Sequence, residues 1–229
     1  MPDSATSHHT WLRRADRWVP PTRHRIAGAD EDGSGASFRV RSPRDGRELA
    51  VVADAGEREV ERAVRAARRA FDSGPWPRLS PAARGRVLLR LADRIEEHRT
   101  DLALAVSLEN GKPASEAYGT ELPATVATFR WYGQLTDQLH DASPHTAPGT
   151  LAPVTREPTG VVGAVAPWNF PFTLASCKLA PALAAGCTAV LKPSELTPRS
   201  ALHLGRLADE AGLPPGVVNV IASDGPVAG

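Results

Sequence analysis

The 229-residue sequence has no apolar run approaching a membrane span, which takes about 20 residues, so no membrane anchor is expected. Its opening stretch, MPDSATSHHTWLRRADRW, lacks the apolar core of a secretory leader. Cysteine is scarce. Cys177 and Cys187 are the only two and form no CxxC pair, which excludes a disulfide scaffold and makes a reducing, cytoplasmic setting the expectation. An excess of one charge is also lacking: 27 Lys and Arg against 26 Asp and Glu leave a net +1, so neither nucleic acid nor an anionic membrane is an expected partner. The seven histidines are scattered, and neither His8–His9 nor His140 with His145 has the spacing of ligands on one helix face, so no metal site is expected. The phosphate-binding patterns GxGxxG and GxxxxGK[ST] are both missing.

What is present is the composition of a globular chain, 41% apolar and 23% charged, long enough to bury a core in one or two domains. Residues 1–36 are polar and read as a flexible lead-in. Over 37–139 the pattern is mainly helical, after two extended runs around Asp45-Gly46, a hairpin signal. Val60, Ala63, Val64, Ala67 and Phe71 recur at helical spacing. Ser80 and Pro81 mark the start of a second helix, with Val87, Leu88, Leu91 and Ile95 as its buried stripe. A third starts near Thr100 and stops at Asn110-Gly111, and a fourth runs from about Pro123 to Leu139. Residues 140–159 are rich in Pro, Thr and Gly. Within them TLAPVTRE reads as a strand that its prolines confine to an edge or to an extension away from the domain.

Over 160–229 the punctuation becomes regular. VVGAVA reads as a strand with both faces covered, and FTLASCKLAPALAAG as a helix ending at Gly186. TAVLKP is a second strand, TPRSALHLGRLADEAG a helix capped by Thr197 with Pro198 in its first turn, and GVVNVIA a third strand. This β-α-β-α-β order is the signature of a parallel sheet wound with helices, whose ligands bind beyond the carboxyl ends of the strands. Trp168 and Asn169 follow the first strand, Lys192, Ser194 and Glu195 the second, and Ser223, Asp224 and Gly225 the third. A rigidly held amide can donate to an oxygen that becomes negative during reaction, worth roughly 3–4 kcal/mol of barrier. Pro167 and Pro171 restrict Asn169 in advance. Lys192 can donate to sugar hydroxyls or phosphate, and Glu195 can accept both hydroxyls of a ribose while repelling a 2′-phosphate. The same residues also read as an Asn satisfying its own turn and a loop of helix-capping groups. Pattern alone gives an α/β domain binding a nucleotide-like ligand, with the reaction open.

The phrases EPTGVVGAVAPWNFPF, KLAPALAAGCTAVLKPSELTP and EAGLPPGVVNVI resemble the aldehyde dehydrogenase superfamily, and RGRVLLRLADRIEEHRTDLALAVSLENGKP resembles its helical region. The likeness runs from about Phe38 to Gly229. It implies an α/β, aldehyde dehydrogenase-like fold: a helical N-terminal region plus part of a doubly wound, Rossmann-like NAD-binding sheet. It implies an NAD(P)-dependent oxidation of an aldehyde to a carboxylic acid through a cysteine thiohemiacetal, and the Glu195 carboxylate favours NAD over NADP as the cofactor. Residue by residue, Asn169 would be the amide of the oxyanion hole. Ala166, Pro167 and Trp168 would line the cofactor crevice with it. Lys192 and Glu195 would hold the adenosine ribose, with Ser194 between them in the cofactor site, and Gly225 and Gly229 would allow close approach at the adenine end. Lys178 matches a lysine sometimes assigned to a charge relay and equally reads as a structural helix residue. TLAPVTREP falls on a strand of the family's oligomerisation element, which implies a homo-oligomer in the family. The family's general-base Glu and nucleophilic Cys come later than this sequence runs. The resemblance therefore casts the chain as a truncated N-terminal portion, without the catalytic domain and inactive alone, with Cys177 and Cys187 as packing residues. It also implies a sheet of only three strands, with the edge of VVNVIA unpartnered. The other reading that stays open is a non-catalytic nucleotide-binding or subunit-interaction module.

Overall fold

Proline and glycine set the element boundaries in the second half of the chain. In the computed structural model, which describes residues 8–15, 17, 19, 21–34 and 36–225, β5 (Val161–Ala166) runs into Pro167 and α7 (Pro171–Ala184) begins on Pro171. Gly186, at φ 93°, turns the chain into β6 (Thr188–Pro193). Next come α8 (Pro198–Glu210) and β7 (Val218–Val220). The three strands pair in parallel, from Val161↔Thr188 to Ala166↔Pro193 and from Ala189↔Val218 to Leu191↔Val220. Helices cover both faces of β6. Ala189 and Leu191 enter the larger core with Leu179, Leu183, Leu204 and Leu207, whereas Val190 faces Ala63 and Ala67 of α2 (Glu57–Asp72). The expected doubly wound α/β sheet is the one observed.

In α3 (Pro81–Glu97) the expected apolar stripe is the buried one, whereas α2 buries Ala63, Ala66, Ala67 and Ala70 and leaves Val64, expected on its stripe, 43% exposed. Ser80 Oγ accepts from the N–H of Ala83 at 3.3 Å to open α3. α4 (Arg99–Asn110) is closed by Gly111 at φ 83°. The chain then passes through α5 (Ala114–Glu116) and one π-helical turn, Ala117–Glu121, into α6 (Leu122–Leu135). Leu88, Leu91 and Ile95 share the core with Leu102, Val126 and Phe129. Trp76, also fully buried, donates from Nε1 to the Cys187 carbonyl at 3.1 Å and ties the helical region to the start of β6. β3 (Ser37–Arg41) and β4 (Glu48–Ala53) form the expected hairpin about Asp45-Gly46. No helix among the described residues is long and apolar enough to cross a membrane.

Several expectations are overturned. The stretch 1–36, read as a flexible lead-in, holds α1 (His8–Ala15), whose Trp11 joins the core, and a hairpin of β1 (His24–Ile26) and β2 (Ala29–Glu31). β1 pairs antiparallel with β7 at Arg25↔Val220, so the sheet has five strands in the order β2-β1-β7-β6-β5. Burial of Ile26 and the Arg25 guanidinium hold this polar hairpin in place, the latter 2.6 Å from Asp209 of α8 and 2.9 Å from Asp30. β7 is therefore covered, and the edges of the sheet are β2 and β5, the latter with Val165 59% exposed. The strand expected in TLAPVTRE is reduced to a single bridge, Ala142↔Val154, because Pro144, Pro148, Pro153 and Pro158 deny the segment its N–H donors.

Candidate active site

The register Ala166↔Pro193 sets the Pro167–Phe170 turn beside the Ser194–Leu196 loop, at the carboxyl ends of β5 and β6. Asn169 is exposed there, and Trp168 is 51% exposed beside it. Lys192 lies opposite Val165 in the pairing and is half-buried, as is Glu195. Ser194 Oγ donates to Glu195 Oε2 at 3.1 Å and accepts from the N–H of Leu196 at 3.2 Å, which fixes the loop. Past β7, the buried Ser223 accepts at Oγ from the N–H of Gly225 at 3.2 Å. Asp54, just after β4, accepts from the N–H of Asp224 at 3.3 Å. Desolvation, then the charges of Asp54 and Glu195, push the Asp224 carboxyl above its ordinary range. Three carboxylates thus face the same rim.

Ala166, Pro167, Trp168, Asn169, Lys192, Ser194, Glu195 and Gly225 all stand at this end of the sheet. Gly229 lies outside the described residues. Lys178 does not join them: α7 carries it about 10 Å from Pro171, onto an exposed position. Cys177 is exposed beside Ala127, Thr128, Trp131 and Tyr132 of α6, and Cys187 is buried with Sγ 3.6 Å from Thr159 Oγ1.

The residues that shape the two turns were not legible as site residues. Asn110 Nδ2 donates to the Trp168 carbonyl at 2.7 Å, and Lys112 Nζ to the Asn169 carbonyl at 3.2 Å. Glu121 Oε1 accepts from the N–H of Phe172 at 3.0 Å. Glu109 serves the other turn, its Oε1 and Oε2 accepting from the N–H groups of Arg199 and Ser200 at 3.0 and 3.2 Å. It caps α8 in place of Thr197, whose side chain makes no cap bond. Burial pushes the Glu109 carboxyl up to about 7, against the opposing pull of Arg199 and the two N–H donors. One signal was available. A glutamate in the last turn of a helix opposes the macrodipole of its own helix, so Glu109 needed a partner elsewhere.

The model of the aldehyde dehydrogenase family matches residues 30–229, and this chain belongs to that family. Over 210 residues it is 45% identical to aminoacetaldehyde dehydrogenase of Pseudomonas aeruginosa, covering 91% of this chain and 42% of that protein. The structure of indole-3-acetaldehyde dehydrogenase in complex with NAD+ superposes with a TM-score of 0.94 at 42% identity, covering 96% of this chain and 45% of the other. An NAD+ complex of an aldehyde dehydrogenase from Bacillus cereus gives 0.89 at 40% identity, covering 95% and 44%. The chain thus spans less than half the length of these relatives.

Proposed function

We propose that this chain supplies the oxyanion amide and part of the NAD crevice for oxidation of an aldehyde to a carboxylic acid. The observation that carries the reading is the braced turn after β5, which leaves Asn169 exposed beside the loop of Lys192 and Glu195. The residues present suit NAD. Lys192 and Glu195 pair a donor with an acceptor for ribose hydroxyls, and Asp54, Glu195 and Asp224 oppose the additional phosphate of NADP. NAD, when bound, accepts the hydride released from the aldehyde carbon. Asn169 donates its amide to the carbonyl oxygen as a thiolate adds to the carbon and charge collects on that oxygen. Because the backbone carbonyls of residues 168 and 169 are held by other side chains, the amide is oriented before charge develops. Hydrolysis of the thioester then releases the acid. Neither the thiolate nor the general base is assigned to any of the 229 residues. Cys187 is buried and Cys177 sits on α7, facing α6. The chain alone is read as binding NAD without turning over. A cytoplasmic setting fits its two free thiols, and the extended, exposed segment 140–159 is read as a subunit contact.

The test is calorimetric titration of the purified chain with NAD and NADP, run with gel filtration on the same sample. NAD should bind a monodisperse species more tightly than NADP. Glu195→Gln should raise the NAD Kd about tenfold, or about 1.4 kcal/mol, close to the lower bound for a hydrogen bond to a charged group. In an enzyme assembled from this chain and the remainder of a relative, Asn169→Ala should lower acylation about 10²–10³-fold and leave NAD affinity within about twofold. An Asn169→Ala enzyme that acylates normally removes the oxyanion role, and an unchanged NAD Kd in Glu195→Gln removes the ribose role.

A further inference from the structure

The PWNFPF turn is held by charges and amides from outside the sheet. Lys112 is one of only three lysines among the 27 basic residues. Its ammonium lies 2.6 Å from Glu121 Oε2, 3.2 Å from the Asn169 carbonyl and 3.7 Å from the centre of the Phe170 ring. Its side chain is 8% exposed and that of Glu121 is fully buried. The other Glu121 oxygen takes the N–H of Phe172, one of the donors that the first turn of α7 leaves without a helical partner. Asn110 adds the bond to the Trp168 carbonyl. The three hydrogen bonds to the turn, from Asn110, Lys112 and Glu121, all go to backbone groups, so they set its shape and leave the Asn169 side chain exposed.

Two features of the fold exist to bring these groups together. Gly111 takes φ 83°, and a Cβ there would lie 2.9 Å from Pro43 Cγ, so glycine lets the chain reverse between Asn110 and Lys112 without strain. The π turn Ala117–Glu121 breaks the phase of the helix, and an ordinary α turn would swing Glu121 about 100° round the axis, off the N-terminus of α7. A buried ion pair is a poor device for stability, since apolar residues of similar volume commonly serve as well or better. Fixing a position accounts for it directly.

We propose that Lys112, Glu121 and Asn110 are positioning residues that lock the Trp168–Phe172 turn and thereby fix the direction of the Asn169 amide, an inference that rests on the oxyanion role of Asn169. The sequence holds only three asparagines, Asn110, Asn169 and Asn219, so a chain labelled with 15N-asparagine reports the turn and, through the buried Asn219, a distant control. In the wild-type chain the Asn169 backbone amide should be rigid, with an order parameter of about 0.85. In Lys112→Met it should fall below about 0.6 while Asn219 stays unchanged. Asn110→Ala, which leaves no buried charge unpaired, is read in the same way should Lys112→Met not fold. An Asn169 amide as ordered as in the wild type, or a loss of order shared equally with Asn219, overturns the proposal. In the assembled enzyme, Lys112→Met should slow acylation about tenfold or more, and should add no further loss in an Asn169→Ala background. The same loss in both backgrounds would mean that Lys112 acts by another route. An Asn169→Ala enzyme of normal rate would instead remove the oxyanion role, with the order-parameter result still deciding the lock.

Discussion

Replacing Glu109 by Gln should remove a defined part of the chain's pH-dependent stability. Glu109 is 3% exposed, its two oxygens cap α8, and burial raises its carboxyl from 4.5 to about 7. The folded chain therefore keeps a proton that the unfolded chain releases near its ordinary value. The stability this group contributes is fully present below about pH 4.5 and is lost as the pH rises through about 7. A gap of about 2.5 pK units is worth about 3 kcal/mol, of which about 2–3 kcal/mol disappears between about pH 5 and pH 8. Gln carries no titrating proton, so its contribution stays level. The assay is urea unfolding of both chains across that range, followed by tryptophan fluorescence. The difference between the two isolates Glu109, because His24 and His203, both held below the usual histidine range by burial, are common to both. That difference should shrink by about 2–3 kcal/mol from the acid to the alkaline end. A flat difference would refute the reasoning, since it would mean that Glu109 is ionised throughout and that Arg199 and the α8 N–H groups outweigh burial.

Gly111→Ala forces a left-handed conformation on alanine and crowds Pro43, which should cost about 2 kcal/mol and lower Tm by about 4–8 °C in a thermal scan. An unchanged Tm would show that the link between Asn110 and Lys112 tolerates a side chain. Arg25→Ala breaks the contacts to Asp209 and Asp30 and should cost about 2 kcal/mol. Amide exchange in β7 should then quicken about 30-fold as the β1–β2 hairpin opens. Unaltered exchange would mean that the hairpin does not protect that strand.

The succession β5-α7-β6-α8-β7 was legible because prolines start its helices, glycines end them and charge-free runs fill the strands. The hairpin of residues 24–31 was not. Its strands are three residues long, HRI and ADE, too short to show alternation, and its turn at Ala27-Gly28 carries none of the usual Asn-Gly or Asp-Gly chemistry. At the candidate site, Asn169, Lys192 and Glu195 were visible because strand ends in such sheets are where ligands sit. Asn110, Lys112 and Glu121 were invisible for two reasons. They act on backbone groups 51 to 58 positions away, and a π turn shifts Glu121 out of the 3.6-residue phase by which helix faces are read.

The hairpin that covers β7 also imposes an order on biosynthesis. The His24 ring accepts from the N–H of Ala222, 198 positions later in the chain. At about 5–20 residues per second, a ribosome that has made β1 and β2 needs roughly 10–40 s more to deliver the strand they pair with. During that interval Ile26 has no sheet to cover it and the outer edge of β1 is open to any other extended chain. Nascent copies made close together are therefore a setting in which mispairing of this edge is expected.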